Sequence, residues 1–179
     1  MSTKQILKVM YVLCWIIFIG LGIQSGGYIV NAFLATENPE MVPYLWHEAD
    51  LSALFTYSTG HYAWLTFIIS IVTILKAVMF YLIIRLLHSK KVTMEQPFNK
   101  EMERFMINLV WFTVGIGLCS YGAVNYFEWL TQKGITMPDI KHLPVGGADV
   151  WLFMAAVLFV LVQIFKRGVE LQTENDLTV

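Results

Sequence analysis

Charge is what this chain lacks most. Only 14% of its 179 residues are charged, against roughly a quarter in a soluble domain, while 57% are hydrophobic. That balance excludes an ordinary water-facing fold and points to an integral membrane protein. Cysteine is scarce as well. Cys14 and Cys119 both fall inside apolar runs and form no C-x-x-C pair, so they read as small packing residues rather than a disulfide or redox centre. There is no glycine loop for a nucleotide, no Ser-His-Asp order and no nucleophile with a base beside it. An enzyme is therefore not expected, and no catalytic residue or cofactor is assigned.

What is present is four long apolar runs, at 6–30, 62–87, 105–129 and 150–165. About 20 helical residues cross a hydrocarbon core of about 30 Å, so each run is long enough, the last only just. None alternates as the strands of a β-barrel do, and backbone groups in lipid must pair within helices. The expected fold is an all-α, four-helix membrane bundle forming one domain. Lys4 and Lys8 ahead of the apolar core of the first run give it some likeness to a signal peptide. No A-x-A-like site ends it, however, and apolar residues continue through Val30, so cleavage is not expected.

Lys and Arg set the orientation. The segment 31–61 has neither, and 130–149 has only Lys133 and Lys141. The other flanks carry Lys4, Lys8, Arg85, Lys90, Lys91, Lys100, Arg104, Lys166 and Arg167. Both termini, the loop 88–104 and the tail 166–179 are thus expected in the cytoplasm, with 31–61 and 130–149 as outer loops. This is the arrangement of a multi-pass protein of the cell membrane, and the lipid bilayer is its first partner.

In the first outer loop, Pro39 and Pro43 break any helix. Leu51, Leu54 and Phe55 then recur at helical spacing, which predicts a short amphipathic helix in the interface and a loop that caps the bundle. His47, Glu48, Asp50 and His61, with His142 in the second outer loop, are competent metal ligands. They lack paired-ligand spacing such as H-E-x-x-H, and no metal is assigned.

Within the spans, Lys76 is the costly residue, 14 positions past Tyr62, and Gln163 lies 13 past Val150, at similar depth. Two readings stay open. Lys76 snorkels to the cytoplasmic headgroups, or it bonds Gln163 and lines a cavity or relay. Thr66, Ser70 and Thr73 form a hydroxyl stripe, and Gly22 and Gly26 a G-x-x-x-G; both suit close helix packing, and the latter is compatible with a homo-oligomer. Asn99 is placed to cap the third span, with Glu101 and Glu103 in its first turn.

The chain ends RGVELQTENDLTV, from Arg167 to Val179, and carries Pro97-Phe98-Asn99 before the third span. With that tail and that element it resembles a bacterial family of small four-span membrane proteins catalogued as domain of unknown function 2975. The likeness in span number, loop placement and length covers essentially the whole chain. No catalytic residues are established for the family, so none is carried over. Its members are often encoded beside a small helix-turn-helix regulator, and the resemblance therefore implies a cytoplasmic DNA-binding protein as partner, with no direct contact to nucleic acid.

The tail's own chemistry fits such a partner. Glu170, Glu174 and Asp176 alternate with Leu171 and Leu177, making an acidic, partly apolar strip suited to a basic or grooved surface. The competing reading is a strip that folds back on Lys90 and Lys91. Function is expected to be membrane-bound interaction or regulation, with tethering of the regulator as its mechanism. The alternative is a small transporter or ligand-sensing bundle built on Lys76, Gln163 and Gln24.

Overall fold

The computed structural model describes residues 3–45, 49–89 and 99–176. Among these residues there is no strand. The helices are α1 (Thr3–Glu37), α2 (Val42–Leu45), α3 (Ser52–Tyr57), α4 (Thr59–His88), α5 (Lys100–Gln132) and α6 (Ala148–Asp176). Four of them, α1, α4, α5 and α6, are long and apolar enough to cross a membrane, which makes this an all-helical four-span protein.

Local chemistry sets the ends. Asn38, held outside the helical region ahead of Pro39, stops α1. Pro39 then opens a 3₁₀ turn, and Pro43 sits in the first turn of α2, where its missing N–H costs little. The two prolines start short helices here rather than forbidding them. Ser58 caps α4 by accepting from the His61 amide, and Arg85 and His88 lie in its last turn, where the helix dipole favours positive charge. Asn99 Oδ1 accepts from the Met102 amide at 2.8 Å, as its position predicts. Gly134, at φ +83°, terminates α5, with Ile135 N–H reaching back to the Leu130 carbonyl.

The spanning helices stand in a row. Close pairs are α1 with α4, α4 with α5, and α5 with α6. Among the described side chains of α1, only Cys14, Ser25 and Ala35 are buried, and fourteen from Ile6 to Phe33 are large, apolar and exposed. A water-soluble bundle would close to hide them; lipid removes that pressure, since hydrocarbon tails are as apolar as leucine.

The core lies at the end of the row where the two connectors fold inward. Leu51, Leu54, Tyr62, Leu65, Ile69, Ile116, Leu130 and Val145 are essentially fully buried there. The helical spacing of Leu51, Leu54 and Phe55 thus reports packing against protein: Leu54 of α3 and Leu51 just before it turn into this core, and Phe55 meets the Tyr62 ring edge-on at 5.1 Å.

The α5–α6 connector, Lys133–Gly147, does more than join the two helices. Leu152 lies against Gly117, where an added Cβ would come within 2.7 Å of it. Gly117 precedes the end of α5 by fifteen residues, about 22 Å, while Leu152 follows the start of α6 by only four, about 6 Å. So α6 begins roughly 16 Å short of its neighbour's end. The connector descends to meet it, burying Ile135, Leu143 and Val145. The fourth apolar run is short because connector backbone, sheltered by protein as irregular structure at membrane depth must be, occupies the rest of that position.

Candidate functional site

Lys76 sits midway along α4, next to Leu75, which touches the Gly115 position of α5 at 3.7 Å. Its ammonium donates to the Pro144 carbonyl at 2.7 Å and lies 5.4 Å from the centre of the Trp151 ring. Both partners come from the descending connector and the first turn of α6. A carbonyl outside any helix, at a depth without water, needs a donor, and Lys76 supplies it with a charge-assisted bond while the indole face favours the cation.

Neither sequence reading of Lys76 describes this arrangement. The side chain does not run toward the tail end of the row, as snorkelling to those headgroups requires, and it does not bond Gln163. Gln163 lies eleven residues beyond Leu152, about 16 Å further along α6, and is exposed. It lines the polar end of a trough between α5 and α6 together with Glu103 and Lys166. Equal counts from Tyr62 and Val150 implied equal depth only if both spans start at one level. The late start of α6 breaks that premise. The signal in the sequence was the short fourth run beside the proline-containing segment 130–149.

The hydroxyl stripe is spent on its own helices. Thr66, Ser70 and Thr73 donate to the carbonyls of Tyr62, Thr66 and Ile69, and Thr113 to that of Leu109. The buried Ser120 hydroxyl has no partner among the described residues. Gln24 donates to the Tyr28 hydroxyl at 2.9 Å, away from Lys76. At the connector end, the His61 ring bonds the Tyr126 hydroxyl and packs among the rings of Tyr57, Tyr126 and Trp129, 5.7 to 6.0 Å away. Asp50 accepts from the Ser52 amide. His47 and Glu48 lie outside the described residues, among which no three His, Cys, Asp or Glu side chains form a group able to hold a metal. Cys14 and Cys119 are free thiols on helices that are not close neighbours.

The tail is helix. Beyond Lys166, α6 continues without a break to Asp176. Val169 turns inward and is buried, while Glu170, Leu171 and Glu174 are exposed, Leu171 by 51%. Arg167 donates to Glu170 at 3.0 Å, one turn along. The side chain of Asp176 and the whole of Leu177 lie outside the described residues, as do Lys90 and Lys91. Of the acidic, partly apolar strip read in the sequence, Glu170, Leu171 and Glu174 are thus described, on a continuous helical extension of a spanning helix.

Four apolar helices, a connector anchored by an intramembrane lysine and a helical tail define a multi-pass membrane protein. Over residues 28–179 the chain matches the family model described as "Protein of unknown function (DUF2975)", and it belongs to that family. No curated protein and no solved structure matches it.

Proposed function

We propose that this protein is a regulatory tether of the cytoplasmic membrane, holding a small helix-turn-helix regulator on its α6 tail. The observation that carries the reading is the continuity of α6, which delivers exposed Leu171, Glu170 and Glu174 on a stiff rod beyond the span. An apolar side chain flanked by carboxylates on an exposed helix suits a grooved, basic protein surface. The regulator is an expectation carried over from the resemblance read in the sequence. In this reading both termini face the cytoplasm, following the Lys and Arg bias, and the protein carries no catalytic centre. Lys76 gives the tether a mechanical input. It ties α4 to the connector from which α6 starts, so a displacement of the outer connector is carried along α6 to the tail.

The test is co-purification from membranes with a small helix-turn-helix regulator from the same genome as prey, one encoded beside it being the first choice. Reversing Glu170, Glu174 and Asp176 to Lys is expected to lower recovery, while insertion, set by the apolar runs with Lys166 and Arg167, is unchanged. Losing one desolvated charge contact at an interface costs about 2 to 5 kcal/mol, or roughly 30-fold or more in affinity. The intramolecular Arg167–Glu170 pair is exposed and contributes little, so its loss does not confuse the readout. Equal recovery by wild type, the triple reversal and a truncation after Gly168 would remove the tail as docking site.

A further inference from the structure

The trough between α5 and α6 has a volume of about 530 Å³, within the roughly 300–1,000 Å³ of ordinary ligand pockets. Its walls are graded along the helix axis. From Leu152 through Ala155, Ala156 and Phe159 they are apolar, faced by Val110 and Trp111 of α5. Ala155 and Ala156 create the depth, since two adjacent small side chains sit where the neighbouring positions carry leucine, methionine and valine. From Leu152 to Lys166 the trough runs fourteen residues, about 21 Å, the reach of an extended long acyl chain. It then meets Glu103, Gln163 and Lys166.

Beyond that end the same two helices form a second cleft, rimmed by charge. Glu103 and Lys166 belong to both, and Lys100, Val169, Glu170, Thr173 and Glu174 complete it. An apolar channel that opens into a cleft of mixed charge, at the end of the spans where Lys100 and Lys166 mark the headgroup level, matches an amphiphile held lengthwise. The charges also choose its head. Two ammonium groups suit a phosphate, and three carboxylates oppose a wholly anionic head but suit an ammonium beyond that phosphate.

We infer that this groove binds one glycerophospholipid with a phosphoethanolamine head, an acyl chain lying along Ala155, Ala156 and Phe159, the phosphate at Lys166 and Lys100, and the ammonium toward Glu103 and Glu174. The inference does not depend on the tail's having a protein partner. Because Glu170 and Glu174 line the cleft, a bound lipid would sit against the base of the tail and shape the surface presented there.

The experiment uses the full chain purified in maltoside micelles and native mass spectrometry to count retained lipid. Dioleoyl phosphoethanolamine and dioleoyl phosphoglycerol lipids are titrated separately and then in competition. One phosphoethanolamine lipid per chain should be retained, at concentrations at least tenfold lower than the phosphoglycerol lipid requires. Ala156 is exposed in the trough, so Ala156→Phe or, as a milder filling, Ala156→Leu should raise the concentration needed about tenfold without disturbing the fold. Glu103→Gln combined with Glu174→Gln, which removes the carboxylates assigned to the ammonium, should abolish the headgroup preference. Ile16→Phe, on the lipid-facing surface of α1, should change nothing. Equal retention by wild type and both Ala156 variants would overturn the site, and preference for the phosphoglycerol lipid would overturn the assigned head. A stable dimer that retains no lipid would give the groove to a second copy of the chain instead.

Discussion

Lys76 resolves a problem that the connector creates. Pro144 presents a carbonyl outside any helix within the width of the spans, and an unpaired buried acceptor costs about 1 to 3 kcal/mol. Lys76→Met keeps the apolar stem but removes the donor. The expected result is a protein that still inserts but melts lower, by about 2 to 4 °C for each kcal/mol lost in a chain of this size. Melting in micelles checks it, and an unchanged Tm would show that the Pro144 bond anchors nothing. Glycines give a second contrast. Gly117 faces Leu152 so closely that Gly117→Ala must push the α6 backbone or that leucine aside, whereas a Cβ at Gly122 meets nothing within 4 Å. Gly117→Ala should therefore lower Tm through overpacking of about 1 to 3 kcal/mol. Gly122→Ala should leave Tm unchanged or raise it, since alanine is the better helix former. The same melting curves distinguish them.

The helix α6 behaves as two segments joined without a hinge. Its first part, from Ala148 to Lys166, packs along α5, and its second carries Glu170, Leu171 and Glu174 past the start of that neighbour's apolar run. If the rod is continuous, spin labels at Gln163 and Glu174 in a cysteine-free background should be separated by an axial rise of about 16 Å. Gly168→Pro should broaden that distance, because an interior proline removes a backbone bond and clashes with the preceding turn, at about 3 kcal/mol. A distribution equally broad before and after the substitution would mean that the tail is frayed and that no rod reaches the partner. Such a result would also separate the mechanical part of the tether from simple binding.

An open row has consequences that a closed bundle does not. Phe18 of α1 and Tyr81 of α4 have ring centres 5.9 Å apart, so a cysteine pair replacing them, in a background without Cys14 and Cys119, should be joined by a short bifunctional thiol reagent in membranes. A pair joining Trp15 of α1 to Phe159 of α6 should not cross-link within one chain, because α4 and α5 stand between those helices. Efficient intrachain cross-linking of that second pair would close the row. Orientation is tested by reporter fusions. Those after Val179 are expected to read as cytoplasmic and those within 31–61 as external, since the outer segment contains no Lys or Arg. An external C-terminus would overturn the tether, which needs its tail in the cytosol.

The spans, the Asn99 cap and the Ser58 cap arise from contacts a few residues apart, and composition with spacing was enough to read the first two. Apolar runs of sufficient length have one low-energy state in lipid, so four helices followed from sequence without knowledge of their neighbours. The sharp end of α1 before Pro39 and the turn at Gly134 are local in the same way. Partnerships across the row are not. Where α6 starts relative to α5 depends on how Leu152 seats on Gly117 and on how far Val145 can be buried, and both are sums of contacts between distant segments. Lys76 was legible as a costly charge, but its partner, 68 positions away in the chain, was set by that offset. Helix formation in a membrane is settled within each segment by backbone hydrogen bonding, whereas the register between segments is settled only when their side chains meet.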